Sequence, residues 1–173
     1  MQKVLGYMLT WTAYGSWLQG DRRKYVKNGQ ILDPNTPLEN KNKENMKYPK
    51  VSLTAAQRKI IEKAIIEESA GLNQKIYASA IRKSHIHLVV GCNFISAASA
   101  VSHYKNAARL TMERNGFVGR LWTKGFSVRY CFDESQLNAV IQYVNRHNRK
   151  SPSKKPTGLS GGLIISPLVY LVG

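Results

Sequence analysis

One short stretch, residues 84–90, constrains most tightly how this chain can fold. It reads Ser-His-Ile-His-Leu-Val-Val, so two histidines flank one apolar residue and an apolar run follows. Side chains alternate between the two faces of a β-strand, so His85 and His87 point one way while Ile86 and Leu88 point the other. We therefore expect a sheet whose apolar face is covered by helices and whose other face presents two imidazoles.

A second stretch, residues 141–147, continues a helical pattern near the end of the patterned part of the chain. Apolar residues recur from Leu137 to Val144 with the i, i+3, i+4, i+7 spacing of an amphipathic helix. Tyr143 and His147 are four residues apart, which places them on one side of that helix, at the flank of its apolar stripe. Two strand histidines, with a helix that carries a tyrosine and a third histidine, predict a metal site beside a phenol nucleophile.

The charge of the chain indicates which class of partner it binds. Lysine and arginine number 26 against 10 acidic residues, which gives a formal net charge of +16. An excess of this size most often indicates a polyanionic partner, and nucleic acid is the commonest one. The sequence contains no acidic cluster, so a carboxylate cage for Mg²⁺ is not expected. Imidazole ligands are compatible with Mn²⁺, with Mg²⁺ that keeps its waters, with Zn²⁺ and with Ni²⁺.

Local patterns predict the element order β, α, β, β, α, β, α. The predicted strands cover residues 4–11, 76–81, 84–90 and 126–132, and the predicted helices begin at Thr54, at Ser96 and at Asp133 or Ser135. The second and third strands read as an antiparallel hairpin. Long helices on one antiparallel sheet predict an α+β sandwich of ferredoxin-like type.

We expect one domain over residues 1–150. Within it, residues 20–50 are rich in Lys, Asn, Pro and Gly and have no sustained period. They predict a long basic loop, either mobile or wrapped around a nucleic acid backbone. Residues 151–173 begin as a basic, proline-broken linker and end in an apolar tail too short to span a bilayer.

The N-terminus carries no apolar run typical of a signal peptide, so we expect a cytoplasmic protein without a membrane partner. Cys92 and Cys131 have neither zinc-knuckle nor redox-pair spacing. We therefore interpret both as buried free thiols, which fits a reducing compartment.

At these residues the chain resembles the single-tyrosine HUH transposases, named for their His-hydrophobic-His motif, and within them the REP-associated, IS200-like branch. The motif is matched by His85-Ile86-His87, and residues 12–18 and 121–128 resemble blocks typical of a REP-associated subgroup. The resemblance covers most of residues 1–148. The family usually carries Asn or Gln four residues beyond its nucleophilic tyrosine, whereas this chain has His147 after Tyr143.

The resemblance implies the HUH endonuclease fold, with Tyr143 as the catalytic nucleophile and His85, His87 and His147 as the metal ligands. It implies a divalent ion, Mg²⁺ or Mn²⁺ before Zn²⁺ or Ni²⁺, and cleavage and rejoining of single-stranded or hairpin DNA through a 5′-phosphotyrosine. Members act as monomers or homodimers. Single strands are held by basic grooves and aromatic faces, so we expect DNA contacts from Arg22, Arg23, Arg82, Lys83, Arg120, Lys124, Arg129, Trp17 and Trp122.

Three alternatives stay open from the sequence. One is an HUH nuclease for replication initiation or a relaxase, although such proteins usually have more chain after the site. Another is a nucleic-acid-binding protein that has lost catalysis, and the third is a zinc hydrolase, which would not need Tyr143. The chief rival nucleophile is Tyr130, whose apolar strand neighbours predict a core position. His103 has no partner at ligand spacing, and we interpret it as structural or DNA-facing.

Overall fold

The computed structural model describes residues 3–27 and 30–148, together with the backbone of residues 169–171. In chain order the elements are β1 (Gly6–Thr12), β2 (Tyr25–Lys27), β3 (Gln30–Leu32), α1 (Thr36–Glu44), α2 (Ala55–Gly71), β4 (Ile76–Ile81), β5 (His85–Gly91), α3 (Ala97–Arg114), β6 (Phe126–Cys131), α4 (Glu134–Asn148) and β7 (Val169–Leu171). The antiparallel sheet has the order β4-β5-β1-β6-β7, and β2 and β3 form a separate hairpin. The predicted α+β fold is confirmed.

The central strand of this sheet is β1, and its register determines what lies beside the histidines. It pairs with β5 along its whole length, from Gly6 opposite Gly91 to Thr12 opposite His85. Thr10 therefore lies directly opposite His87. Side chains of directly opposed residues share one face and contact each other, so two threonine hydroxyls belong to the histidine face.

The other face of β5 is apolar and fully covered. Ile86, Leu88 and Val90 have no exposed surface and belong to the main core, which also contains Ile61 of α2 and Tyr104 of α3. This confirms the prediction that helices cover the apolar face of the histidine strand. Burial of each such side chain stabilises the fold by about 1.5–3 kcal/mol.

The predicted helix starts are confirmed by capping hydrogen bonds. Thr54 and Gln57 form a reciprocal capping box at the start of α2, in which each side chain accepts a hydrogen bond from the other residue's backbone N–H. The Ser96 hydroxyl accepts from the backbone N–H of Ser99 at 3.1 Å. Of the two candidates at the last helix, Asp133 supplies the cap, because its carboxylate accepts from the N–H of Gln136 at 2.8 Å.

Helix α4 covers the opposite face of the sheet, the one that carries the histidines. Val140 and Val144 are buried there in a second cluster with Met8 and Val89. The two faces of the sheet are thus covered by different helices, α2 and α3 on one and α4 on the other. Because α4 lies on the histidine face, the residues at the edge of its apolar stripe lie next to β5.

The prediction that residues 20–50 form a long loop without regular structure is wrong, because this segment contains β2, β3 and α1. We call residues 20–50 the arm. It packs on the turn that follows β1, where Gly15 has a positive φ angle of 72°, and its own first residue, Gly20, has a positive φ angle of 95°. A Cβ at Gly20 would lie 2.4 Å from the carbonyl oxygen of Asn35. The start of the arm can therefore lie this close to Asn35 only because residue 20 is glycine.

Three further sequence-based expectations can be compared with the structure. Cys131 is buried as predicted, whereas Cys92 is exposed. The predicted linker lies outside the described residues, while the backbone of β7 pairs with β6. Of the helices in the described part of the chain, none is long and apolar enough to cross a bilayer.

We expect Gly20→Ala to lower the free energy of unfolding by about 1–3 kcal/mol, because it strains a positive-φ backbone that also lies against the backbone of Asn35 and Glu39. The control is Gly71→Ala at the end of α2, where a Cβ would meet nothing within 4 Å. That variant should be unchanged or more stable by up to about 1 kcal/mol. Urea unfolding followed by circular dichroism measures both, and equal stability of the two variants would contradict the close packing of the arm.

Candidate metal centre

Three histidines meet on the face of the sheet that α4 covers. His85 and His87 come from β5, and His147 comes from the last turn of α4. Each offers one ring nitrogen, and these nitrogens lie within 4.8 Å of one another. The ring centroid of His87 is 4.9 Å from that of His85 and 5.0 Å from that of His147. Three imidazoles so placed could hold one metal ion.

Two hydroxyls orient the strand histidines. The Thr10 hydroxyl lies 2.8 Å from Nδ1 of His87, and the Ser84 hydroxyl lies 3.1 Å from Nδ1 of His85. When each Nδ1 carries the proton and donates it to the hydroxyl, the Nε2 lone pair is left for a metal. Sequence reasoning missed Thr10, because only the register of β1 against β5 places it there.

The electrostatic surroundings keep these imidazoles neutral. Burial, together with the neighbouring His85 and His147, lowers the pKa of His87 to about 3. Burial is also the main reason that the pKa of His85 and that of His147 are lowered, with a contribution from the cation of Arg82 in both cases. Neutral imidazole is the form that binds a metal. The donor set therefore fits a divalent ion that accepts nitrogen ligands.

Tyr143 lies beside this group and belongs to the same chain. Its ring centroid is 4.6 Å from that of His147 and 5.6 Å from that of His87. The side chain is 42% exposed, so a substrate can reach the phenol. Val144, the next residue, is fully buried and fixes the rotation of α4. One chain thus brings the tyrosine and all three histidines together.

Two hydrogen bonds join the C-terminal end of α4 to β4 and to the residue that follows it. Arg82 donates from its guanidinium to the backbone carbonyl of His147. Asn148 donates from its side-chain amide to the carbonyl of Ser79 at 2.6 Å. Arg82 was expected to contact DNA, and the structure gives its guanidinium a contact with the backbone of His147, a candidate metal ligand. No local sequence signal indicated that role, since the two residues are 65 positions apart.

Of the other cations predicted to contact DNA, two have partners within the protein, and the rest are exposed. Arg23 is held by Asp21, with a guanidinium-to-carboxylate distance of 2.7 Å, and lies 6.0 Å over the ring of Trp17. Arg120 is exposed and lies 5.5 Å over the ring of Tyr14. The remaining predicted cations are exposed side chains: Arg22, Lys83, Lys124 and Arg129.

The two predicted stacking tryptophans differ in exposure. Trp122 is only 6% exposed and packs edge-on against Trp11, while its indole N–H donates to the carbonyl of Lys105. This burial argues against the expectation that Trp122 stacks on a base, and assigns it to the core. Trp17 is half-buried, and its indole N–H donates to the carbonyl of Lys24 at 2.8 Å.

The rival nucleophile and the fourth histidine lie apart from the histidine group. The prediction of a core position for Tyr130 is wrong, since 44% of it is exposed. Its ring contacts Tyr7 and Phe132, at 5.9 and 6.5 Å between centroids. His103 lies 3.0 Å from the carboxylate of Glu68, which gives it a structural partner.

The fold of this chain is similar to that of a solved transposase. A REP-associated tyrosine transposase bound to a REP hairpin aligns with a TM-score of 0.52 and 13% identity, over 84% of this chain and 70% of that one. A candidate transposase from Deinococcus radiodurans r1 aligns with a TM-score of 0.44 and 13% identity, over 84% of this chain and 92% of that one. Neither a protein-family model nor a curated protein matches this chain. The resemblance inferred from the sequence is confirmed for the fold.

We expect titration calorimetry with Mn²⁺ or Zn²⁺ to detect one bound ion per chain, and His87→Ala to abolish that binding, because His87 is the most buried of the three candidate ligands. The matched control is His103→Ala, which removes a histidine outside the group. Binding that survives in His87→Ala, or that is lost equally in His103→Ala, would contradict a metal site at the three histidines.

The ion pair between Asp21 and Arg23 leads to a pH-dependent prediction. The hydrogen-bonded guanidinium of Arg23 holds the pKa of the Asp21 carboxyl below its usual range. The carboxylate thus contributes stability above its unfolded pKa of about 3.9, and that contribution is lost as pH falls through the folded value. We expect Asp21→Asn to cost about 1–3 kcal/mol in the free energy of unfolding at pH 7. Urea titrations from pH 7 to pH 2.5 should show this difference shrinking, whereas a constant difference would contradict the ionic origin.

Proposed function

We propose that this chain is a metal-dependent DNA strand transferase. It cleaves and rejoins single-stranded or hairpin DNA through a 5′-phosphotyrosine on Tyr143. The observation that carries the proposal is the position of Tyr143. Its side chain is about half-exposed, and its ring contacts the rings of His87 and His147. A hydrolase that activates only water has no need of a phenol at that point, whereas a phosphotyrosine keeps the energy of the phosphoester bond for rejoining.

His85, His87 and His147 would hold the divalent ion, Mg²⁺ or Mn²⁺ before Zn²⁺ or Ni²⁺. When bound, such an ion supplies positive charge that stabilises the pentacovalent phosphorus and the departing oxygen. The three neutral imidazoles add no negative charge of their own. Thr10 and Ser84 hold the rings of His87 and His85 from the Nδ1 side, which fixes where their Nε2 atoms point.

The reaction of Tyr143 balances as a transesterification. Its phenol oxygen forms a bond to the scissile phosphorus and gives up its proton to solvent. The bond from phosphorus to the 3′ oxygen breaks, and that oxygen leaves and takes up a proton as a free 3′-hydroxyl. The phosphate stays on Tyr143 and remains joined to the 5′ end of the downstream fragment of the cleaved strand. Attack by a 3′-hydroxyl on this phosphotyrosine reverses the exchange and joins two strands without an external energy source.

DNA is the proposed partner on two grounds. The net charge of +16 favours a polyanion, and exposed cations surround the turn after β1 and the connector before β6. The solved transposase that shares this fold is bound to a REP hairpin, so hairpin DNA is the first substrate to try. Tyr143 lies beside the histidines of its own chain, and we therefore propose that a single chain performs the cleavage step.

The test is an adduct assay. Wild-type protein is incubated with end-labelled single-stranded and hairpin DNA and Mn²⁺ or Mg²⁺, and the products are separated under denaturing conditions. We expect a covalent protein–DNA adduct that is lost, by at least about 100-fold in rate, in Tyr143→Phe, because the nucleophile is gone. The matched control is Tyr130→Phe, which removes the hydroxyl of a tyrosine that is similarly exposed and lies away from the histidines.

Three outcomes contradict the proposal. Cleavage without an adduct would favour metal-activated water and a hydrolase. Loss of the adduct in Tyr130→Phe but not in Tyr143→Phe would move the nucleophile to β6. Binding without cleavage, over a broad set of hairpins and single strands, would favour a nucleic-acid-binding protein.

A further inference from the structure

A cavity of about 810 Å³ opens between the arm and the turn after β1. We call it the arm cavity. It is lined by the turn at Gly15 and Ser16, by one face of α1, and by the segment that follows α1. Ser84 also lines it, and the Ser84 hydroxyl contacts His85 at 3.1 Å. The cavity therefore adjoins the histidine group through Ser84.

The charge of this cavity is positive and only partly neutralised. Its two acidic residues are already paired inside the protein, Asp21 with Arg23 at 2.7 Å and Glu39 with Lys43 at 2.8 Å. The remaining cations of the lining are Arg22, Lys47 and Lys50. All three are exposed, and among the described residues none has an acidic partner within 4 Å. Three unneutralised cations around one concave surface are suited to bind phosphates.

An aromatic side chain completes the lining. Tyr48 is 47% exposed, and its ring lies edge-on to Tyr14 at 6.3 Å between centroids. Gly119 approaches the ring from the connector before β6, where a Cβ would lie 3.3 Å from the Tyr48 ring. The ring is thus supported by neighbours and still offers surface to the cavity. Cations beside a half-exposed aromatic ring are the usual means of holding an unpaired strand.

We propose that the arm cavity binds unpaired nucleotides next to the scissile phosphate. Lys47, Lys50 and Arg22 contact the backbone phosphates, and Tyr48 stacks on a base. This assignment rests on the proposed function, because it gives the strand that reaches Tyr143 a second point of attachment. Paired DNA is disfavoured here, since a duplex keeps its bases stacked inside and offers no free face to Tyr48.

The test measures binding without cleavage. Every variant carries Tyr143→Phe, so that no adduct forms, and fluorescence anisotropy reports the dissociation constants of labelled (dT)12 and of a 12-base-pair duplex. We expect Lys47→Ala/Lys50→Ala to weaken (dT)12 binding about tenfold or more and duplex binding less than about threefold. Loss of two phosphate contacts should lower the slope of log K against log salt by about 1.4. The matched control is Lys59→Ala/Lys63→Ala on α2, which removes the same charge outside the cavity.

Variants of Tyr48 test the proposal independently. Tyr48→Ala should weaken (dT)12 binding by about 5- to 100-fold, whereas Tyr48→Phe keeps the ring and should bind as tightly as the parent. Equal losses in the cavity pair and the α2 pair, or equal losses on single strand and duplex, would overturn the proposal. An affinity of Tyr48→Ala for (dT)12 equal to that of the Tyr143→Phe parent would overturn it too. These readouts need no catalysis, so a failed adduct assay leaves them interpretable, and a failed cavity test leaves the tyrosine mechanism standing.

Discussion

The packing of α4 against the histidine face of the sheet is the contact on which the candidate site depends. Val140 and Val144 are buried against Met8 and Val89, and this burial sets both the position and the rotation of the helix. A helix fixed in this way carries its flanking positions to the edge of the sheet, where His147 meets the two strand histidines. Had α4 joined α2 and α3 on the other face, the sheet would separate it from the histidines.

The same arrangement supplies hydrogen-bond partners for the polar groups that it buries. His87 is 7% exposed, and a buried imidazole costs free energy unless it is hydrogen-bonded. Thr10 satisfies it from the neighbouring strand at 2.8 Å. Arg82 satisfies the exposed end of α4 by donating to the carbonyl of His147, which stabilises the last turn of the helix where a cation is favourable. Structural hydrogen bonds and the candidate metal ligands are therefore parts of one network.

The arm shows how a polar segment becomes ordered without a core of its own. None of the residues of α1 is buried, so the helix cannot be held by apolar packing alone. Hydrogen bonds hold the arm instead: the side-chain amide of Asn42 donates to the carbonyl of Gln19 at 3.0 Å, and the indole N–H of Trp17 donates to the carbonyl of Lys24 at 2.8 Å. This construction leaves lysines exposed around a cavity beside the site. The same basic composition that predicted a loop is thus compatible with an ordered, positively charged surface that could bind a polyanion.

Local pattern determined much of this protein. Strand alternation at His85 and His87, the capping residues, and the helical spacing of Tyr143 and His147 depend on a few neighbouring positions, so the α+β fold and the members of the site could be predicted from the sequence. Only the tertiary structure decided that Thr10 faces His87, that Trp122 is buried while Tyr130 is exposed, and that the arm encloses a cavity. These features depend on strand register and on packing between segments far apart in the chain, and no local period encodes either.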